Sequence, residues 1–460
     1  MTERTGEGAI PFSAAISRQP IKAYSIITFT VCMLVLICDG MDAQLLGIVA
    51  PLVIEEFGTD GGTFGIAMSA ALVGFGLGSW AGGWLGDKAG RRWSLALATV
   101  IFSLATIAAS WSTDVWQMAG WRLLGGLGFG GAYSNAITLA GEWLPDNWRS
   151  VGVTTISVGT PAGGLVVAAL APTLVDGFGW RGTFVIVGAG TMAVVLLIVF
   201  LLRESPSWLL ARGERDKAHA VARKVLPADI ELALEGHSSS GSAANVGVFD
   251  PINKRLNIGV GISFAAAALV AYGMLNWGTT FLTVKGFTFE QAAYAVSIGG
   301  LTSIGSSIAA GLLVQRYGSR IVFLSLSAGL FATLVVMALR METLAAVPSD
   351  TDRLVVVALY GLAAALFSAA IASMYALMTH AYPSACRSAG IGFGIFVARV
   401  GAIAATAVGG SLIELGEGSL LPYFGVLIVA SVLVSAAAFI VDRHVPPARG
   451  AAARPGNRTV

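Results

Sequence analysis

The sequence predicts an all-α membrane protein of twelve transmembrane helices in two pseudo-symmetric six-helix bundles. Three observations predict it. Of 460 residues, 55% are apolar and only 12% charged, with a mean hydropathy of +0.77; a soluble chain carries about a quarter charged residues. The apolar residues gather into runs of about 20, enough at 1.5 Å per residue to cross a hydrocarbon core roughly 30 Å thick. The runs form two sets of six that repeat loop motifs at equivalent places.

In order, the first bundle (24–202) has apolar runs near 24–50, 63–85, 93–112, 115–141, 150–175 and 181–202. The second (256–442) has them near 256–282, 289–314, 319–341, 353–381, 388–413 and 420–442. The polar segment 203–255 joins the bundles, with a short helical pattern over Ser205–Val225 and then a flexible Gly236–Ser242 run. Segments 1–23 and 443–460 read as tails. An even number of spans puts both tails and the linker on one side, where most of the 28 Lys and Arg also fall, so that side is expected to be cytoplasmic. The first apolar run is too long for a cleaved leader.

Several function classes drop out. A net charge of +2 with no basic aromatic patch gives no reason to expect nucleic acid. Cys32, Cys38 and Cys386 lack the spacing of a disulfide framework or metal site, and no nucleophile–base pairing suggests an enzyme. The Gly126–Gly131 string resembles a dinucleotide loop but follows no strand, and no Gly-x-x-x-x-Gly-Lys loop appears. No cofactor is expected beyond a proton gradient.

The repeat is carried by two loops. Gly83-Trp84-Leu85-Gly86-Asp87-Lys88-Ala89-Gly90-Arg91-Arg92 follows the second run, and Gly311–Arg320 follows the eighth. Glu142–Ser150 closes the fourth run and His380–Ser388 the tenth, with Pro and Arg at the same internal spacing (Pro145 and Arg149, Pro383 and Arg387). Gln315 stands where the first copy has Asp87, and His380 where it has Glu142, so acidic pairing is concentrated in the first half.

The costliest stretch is Asp39-Gly40-Met41-Asp42, inside the first apolar run. A charge at mid-membrane costs about 2.5–3.5 kcal/mol on insertion scales, so it is kept where it faces a wet cavity or a partner. Three residues apart, the two carboxylates share roughly one helix face. Counting from residue 24 places Asp39 roughly 22 Å and Asp42 roughly 27 Å along the helix, and Arg122 lies some 10 Å into the fourth run from its opposite end. That is the same level, so Arg122 can meet Asp39 or Asp42.

These motifs resemble the major facilitator superfamily, whose signature between helices two and three matches Gly83–Arg92. Within it, Asp39-Gly40-Met41-Asp42, Asn135-Ala136, Glu204-Ser205-Pro206-Ser207-Trp208-Leu209 and Ala398-Arg399-Val400-Gly401 are similar to the aromatic acid:proton symporters. The resemblance implies the major facilitator fold and a symporter that imports a small aromatic carboxylate, such as a hydroxybenzoate-type acid, across a bacterial inner membrane. Its partners would be that acid, protons and the lipid bilayer, with the protein expected as a monomer.

On this basis Asp39 and Asp42 are the proton-coupling candidates, an aspartate taking up a proton when the anion draws Arg122 away from it. The plain alternative is a static ion pair. Arg122 and Arg399 are candidates for the carboxylate, and Tyr272, Asn276, Trp277, Tyr133 and Asn135 for the ring and its substituents. Trp277 could equally belong to an interfacial aromatic belt. Asp87, Arg91, Glu142, Arg149 and Arg387 are the candidate cytoplasmic gate, since charge pairs at helix ends break and reform at modest cost. Other cargoes (another organic acid, a sugar or a drug) and a transporter-like ligand sensor are the rivals. The intramembrane arginines favour an anion.

Overall fold

The computed structural model describes residues 10–17, 19–145, 148, 152, 155, 156, 158–227, 230–233, 247–345, 347–383 and 386–447. The long helices of the first half are α1 Ala23–Phe57, α2 Gly61–Ala89, α3 Arg91–Ala109 and α4 Val115–Glu142. Gly159–Leu201 is two helices, α5 (159–178) and α6 (180–201), parted at Gly179, whose φ of 68° and ψ of 172° are not helical. The second half has α7 Lys254–Val284, α8 Phe289–Tyr317, α9 Ser319–Thr343, α10 Asp350–Ala381, α11 Arg387–Leu415 and α12 Leu421–Ile440. Ten described elements are long and apolar enough to cross a membrane. Dividing one at Gly179 and adding α4, 28 residues long but diluted by glycine and Arg122, makes twelve.

Helix ends differ from the apolar runs because backbone hydrogen bonding does not stop where hydropathy does. α1 continues past Pro51 through Glu55 and Glu56 to Phe57. α5 is described from Gly159, and part of the run expected from 150 lies outside the described residues, as does the Gly236–Ser242 linker. The repeated loops have a physical counterpart. Gly90 (φ 102°) and Gly318 (φ 83°) occupy matching turns, α2–α3 and α8–α9, in a backbone region that L side chains rarely enter.

The chain forms two compact units. One comprises Met1–Ala43, Val73–Gly163 and Arg181–Gly241, and the other Gln44–Leu72, Gly164–Trp180 and Ser242–Val460. Besides the segment joining α6 to α7, the boundary cuts α1 directly after Asp42-Ala43, and also α2, α5 and the start of α6 after Trp180.

In the first unit, small residues set the helix spacing. A Cβ on Gly40 would lie 1.8 Å from the Thr160 carbonyl oxygen, and one on Gly163 1.9 Å from that of Ile37, so α1 and α5 touch backbone to backbone. Gly78, Gly82 and Gly130 do the same for α2 and α4. With no hydrophobic effect between lipid-embedded helices, this close packing is the main source of their attraction. Where α4 ends, Trp143 is fully buried under Phe12 and Tyr24, with ring centroids 5.5 and 4.7 Å away. The short helices Phe12–Ser17, Pro206–Ala211 and Arg215–Ala222 pack around it, tied by a two-residue parallel pairing of Ile10–Pro11 with Leu232–Ala233.

In the second unit, Gly401 admits the Ala265 carbonyl and Gly409 and Gly410 admit the Trp277 indole, drawing α7 and α11 together. The later part of α1, from Gln44, joins this unit: Thr279 Oγ1 donates to the Gly47 carbonyl at 2.7 Å.

The α1–α5 crossing generates a prediction. Gly163→Val should lower the melting temperature of detergent-purified protein by several degrees, the scale of an overpacking cost of about 1–3 kcal/mol. Gly76→Ala, where a Cβ meets nothing within 4 Å, should leave it within experimental error.

Candidate functional site

The aspartates of α1 part company in the folded chain. Asp42 Oδ2 accepts from Arg122 Nη1 at 2.7 Å, and Arg122 Nη2 donates to the Asp42 carbonyl at 3.2 Å. Asp42 Oδ1 accepts from Thr106 Oγ1 of α3 at 2.7 Å. Asp39, turned about 60° around the helix, faces α5 instead and accepts from Thr160 Oγ1 at 3.1 Å. All three charged residues are buried, with exposures of 2% for Asp39, 6% for Asp42 and 4% for Arg122. Of the two possible partners for Arg122, the ion pair forms with Asp42. The arginine spends both terminal nitrogens on this one residue, and its Nε has no acceptor among the described residues.

Gly40 explains why the motif has glycine between its acids. Only a residue without Cβ lets Thr160 of α5 come close enough to reach Asp39. Thr106 and Thr160 were invisible to sequence reasoning because a threonine in an apolar helix usually bonds its own preceding turn.

In the second unit, Arg399 Nη1 donates to Tyr272 Oη at 2.7 Å, with the guanidinium 6.0 Å from the ring centroid. Both side chains are half-buried. Asn276, one turn beyond Tyr272, donates to Thr406 Oγ1 at 2.8 Å. Trp277 is fully buried and its Nε1 donates to the Thr406 carbonyl at 3.1 Å. The indole is thus helix packing between α7 and α11, neither an interfacial anchor nor a ring with a free face. A cleft of about 660 Å³ in this unit, lined by Glu290, Gln291, Tyr294, Asp350 and Arg353, includes neither Arg399 nor Tyr272. Its arginine is paired with Asp350 at 3.1 Å and two carboxylates line it, so it suits an anion poorly.

On α4, Tyr133 packs edge-on against Phe75 at 5.6 Å. Asn135 is fully buried and donates to the carbonyls of Gly82 and Gly131 at 2.8 and 2.9 Å. Its amide N–H groups fasten α4 to α2 and are spent on backbone.

The charged groups at the tail-side ends of α2 and α4 do meet. Arg91 Nη2 contacts Asp87 Oδ1 at 2.5 Å, and Arg91 Nε lies 3.8 Å from Glu142 Oε1. Arg149 lies outside the described residues. The Glu-Ser-Pro-x-Trp-Leu motif supports this cluster in a way the sequence did not reveal. Glu204 caps the start of α3, accepting from Arg91 N at 2.8 Å and Arg92 N at 3.2 Å, against the side where Gly90 has no Cβ. Ser205 caps the next helix, Trp208 Nε1 donates to the Asp87 carbonyl at 2.9 Å, and the Arg212 guanidinium bonds the Lys88 carbonyl.

The second unit secures its matching turn with its own tail. Ser319 N donates to the Val445 carbonyl at 3.1 Å and Ser319 Oγ meets His444 Nδ1 at 3.0 Å. Arg443 donates to the Ile252 carbonyl, Asn253 Oδ1 and the Ala381 carbonyl at 3.0, 3.1 and 3.3 Å. Gln315, His380 and Arg387 are exposed, and Arg387 Nε donates to the Tyr382 carbonyl at 3.4 Å.

The chain matches the Major Facilitator Superfamily over residues 32–347. Over 415 residues it is 29% identical to the 4-hydroxybenzoate transporter PcaK of Pseudomonas aeruginosa, covering 88% of this chain and 89% of that one. It is 28% identical over 439 residues to the gallate transporter of Pseudomonas putida, covering 93% and 94%. Among solved structures, the inward open xylose transporter XylE from E. coli aligns with a TM-score of 0.71 at 16% identity over 91% of this chain and 97% of that one. At that identity the likeness shows the fold alone.

Two outcomes follow from the tail-side contacts. Glu204→Ala should speed amide hydrogen exchange at Arg91 and Arg92 about tenfold or more, the effect of losing a helix cap; unchanged exchange would contradict the capping role. Burial, and then the Arg320 charge, hold His444 below its usual value. The folded state therefore resists protonation, so the stability of the 441–447 contacts is complete above about pH 6.5 and is lost as pH falls below it. Exchange at Ser319 N and Val445 N should rise on acidification, corrected for intrinsic rate, and His444→Asn should abolish that dependence.

Proposed function

The chain belongs to the Major Facilitator Superfamily, and from that premise we propose that it imports a small aromatic carboxylate together with protons across a bacterial inner membrane, its tails in the cytoplasm. The observation that carries this reading is the buried Asp42–Arg122 pair with Arg122 Nε to spare. A charge pair in an apolar bundle is expensive to desolvate and is retained where it has work to do. A guanidinium holding a carboxylate through Nη1 and the same residue's backbone carbonyl through Nη2, with its Nε–H unpaired among the described residues, is suited to take a second carboxylate. As the incoming anion draws the guanidinium, Asp42 loses part of its counter-charge and binds a proton, so acid and proton move together.

Arg399 and Tyr272 offer a second place for an anionic ring compound, a guanidinium beside a phenol whose ring can stack. The names of the relatives support the substrate class: 4-hydroxybenzoate for PcaK and gallate for the Pseudomonas putida transporter. Asp87, Arg91 and Glu142, steadied by Glu204, suit a lock that breaks and reforms during transport. The proton gradient supplies the drive, and a monomer has all the groups invoked.

Purified protein in liposomes with an imposed inward proton gradient tests this. 4-Hydroxybenzoate or gallate should accumulate and xylose should not. Arg399→Gln should raise the KM for the acid roughly 10- to 100-fold, the loss of one charge-assisted hydrogen bond. Binding without accumulation would show a sensor instead, and accumulation of xylose would overturn the anion assignment.

A further inference from the structure

Thr106 Oγ1 has two acceptors within reach and one proton to give. It lies 2.7 Å from Asp42 Oδ1 and 2.9 Å from the carbonyl oxygen of Phe102, one turn back in α3. All of these atoms are in one compact unit and Thr106 is only 2% exposed. While Asp42 is a carboxylate, the hydroxyl must turn its proton to Oδ1, because an ionised oxygen accepts about twice as strongly as a carbonyl. Once Oδ1 is protonated, it is itself a donor. The same hydroxyl can then accept from Oδ1–H through a lone pair and turn its own proton to Phe102. Both protonation states of Oδ1 are hydrogen-bonded with no heavy atom of Asp42, Thr106 or Phe102 moving.

We propose that Thr106 is the positioning residue for the coupled proton, its hydroxyl allowing Asp42 Oδ1 to gain and lose a proton in place. This deepens the reading above and rests on it for the role of Asp42. The proton on Oδ1 comes from water and returns to water; Thr106 keeps its own throughout, so it is a rotor and not a relay. The geometry also separates the two aspartates, since Asp39 accepts from Thr160 while both terminal nitrogens of Arg122 bond Asp42. The charged or titratable groups on the elements that carry Asp42 and its partners can be named. Arg122 faces it from α4, and Asp39 and Cys38 precede it on α1. On α3 the charged residues are Arg91 and Arg92 in the first turn, and on α5 the charge is Asp176, near the far end.

The test is an infrared pH titration of the full chain in liposomes. The band read is the carboxylic acid C=O absorption that disappears in Asp42→Asn. Removing a hydroxyl that serves the carboxylate better than the acid should move the midpoint of that band upward by roughly one pH unit in Thr106→Val. Thr106→Ser, which keeps the hydroxyl, should titrate like the unaltered protein. The pH at half-maximal uptake of 4-hydroxybenzoate should shift in step and in the same direction. An unshifted midpoint in Thr106→Val, an equal shift in Thr106→Ser, or no Asp42 band at any pH would each overturn the proposal. A shifted midpoint in a protein that does not accumulate the acid would leave Thr106's role standing and sink the transport reading instead.

Discussion

The chain is built around one expensive interaction, the buried ion pair of Asp42 and Arg122. Two ions withdrawn from water cost several kcal/mol each, and their attraction repays this only when every remaining lone pair and proton is matched. The surrounding sequence supplies that matching. Thr106 takes the second carboxylate oxygen and the Asp42 carbonyl takes a second guanidinium nitrogen. Gly40 and Gly163 bring α5 against the same turn of α1. What is left over, the Nε of Arg122, is the feature an exclusively structural pair would not need.

The two repeats solve the same mechanical problem with different chemistry. Each must hold a tight glycine turn between consecutive helices while the neighbouring helix ends carry charge. The first uses a carboxylate, Glu204, seated on the backbone N–H groups of α3. The second uses its tail, with the Val445 carbonyl on Ser319 N and the Arg443 guanidinium knitting α10 to the residues that open α7. The absence of carboxylates at Gln315 and His380 therefore leaves the second turn anchored, though by a tail and not by a charge relay.

The fold was legible because membrane insertion writes it in hydropathy and loop repetition, which need only local sequence. The Asp42–Arg122 pairing was legible to within one helical turn, because a constant rise per residue converts sequence position into depth. Rotation about the helix axis is harder to read. Three residues separate Asp39 and Asp42 by about 60°, enough to send one to α5 and the other to α3 and α4, and that choice depends on tertiary packing. Trp277 and Asn135 show the same limit. Their types suggested ligand contact, but glycines on neighbouring helices make room for them inside the packing. Thr106 and Thr160 carried no pattern of their own until their partners were in place, and Glu204, though part of a motif, gave no sign of its capping role.

The central claim, that an aromatic carboxylate and a proton cross together through the chemistry of Asp42, is tested most directly by proton flux. Adding 4-hydroxybenzoate to unbuffered liposomes containing the protein, with no imposed gradient, should alkalinise the outside as protons follow the acid inward. Asp42→Asn should abolish that alkalinisation while acid still exchanges. Acid entry without proton movement in the unaltered protein, or an equal proton signal from Asp42→Asn, would contradict the account.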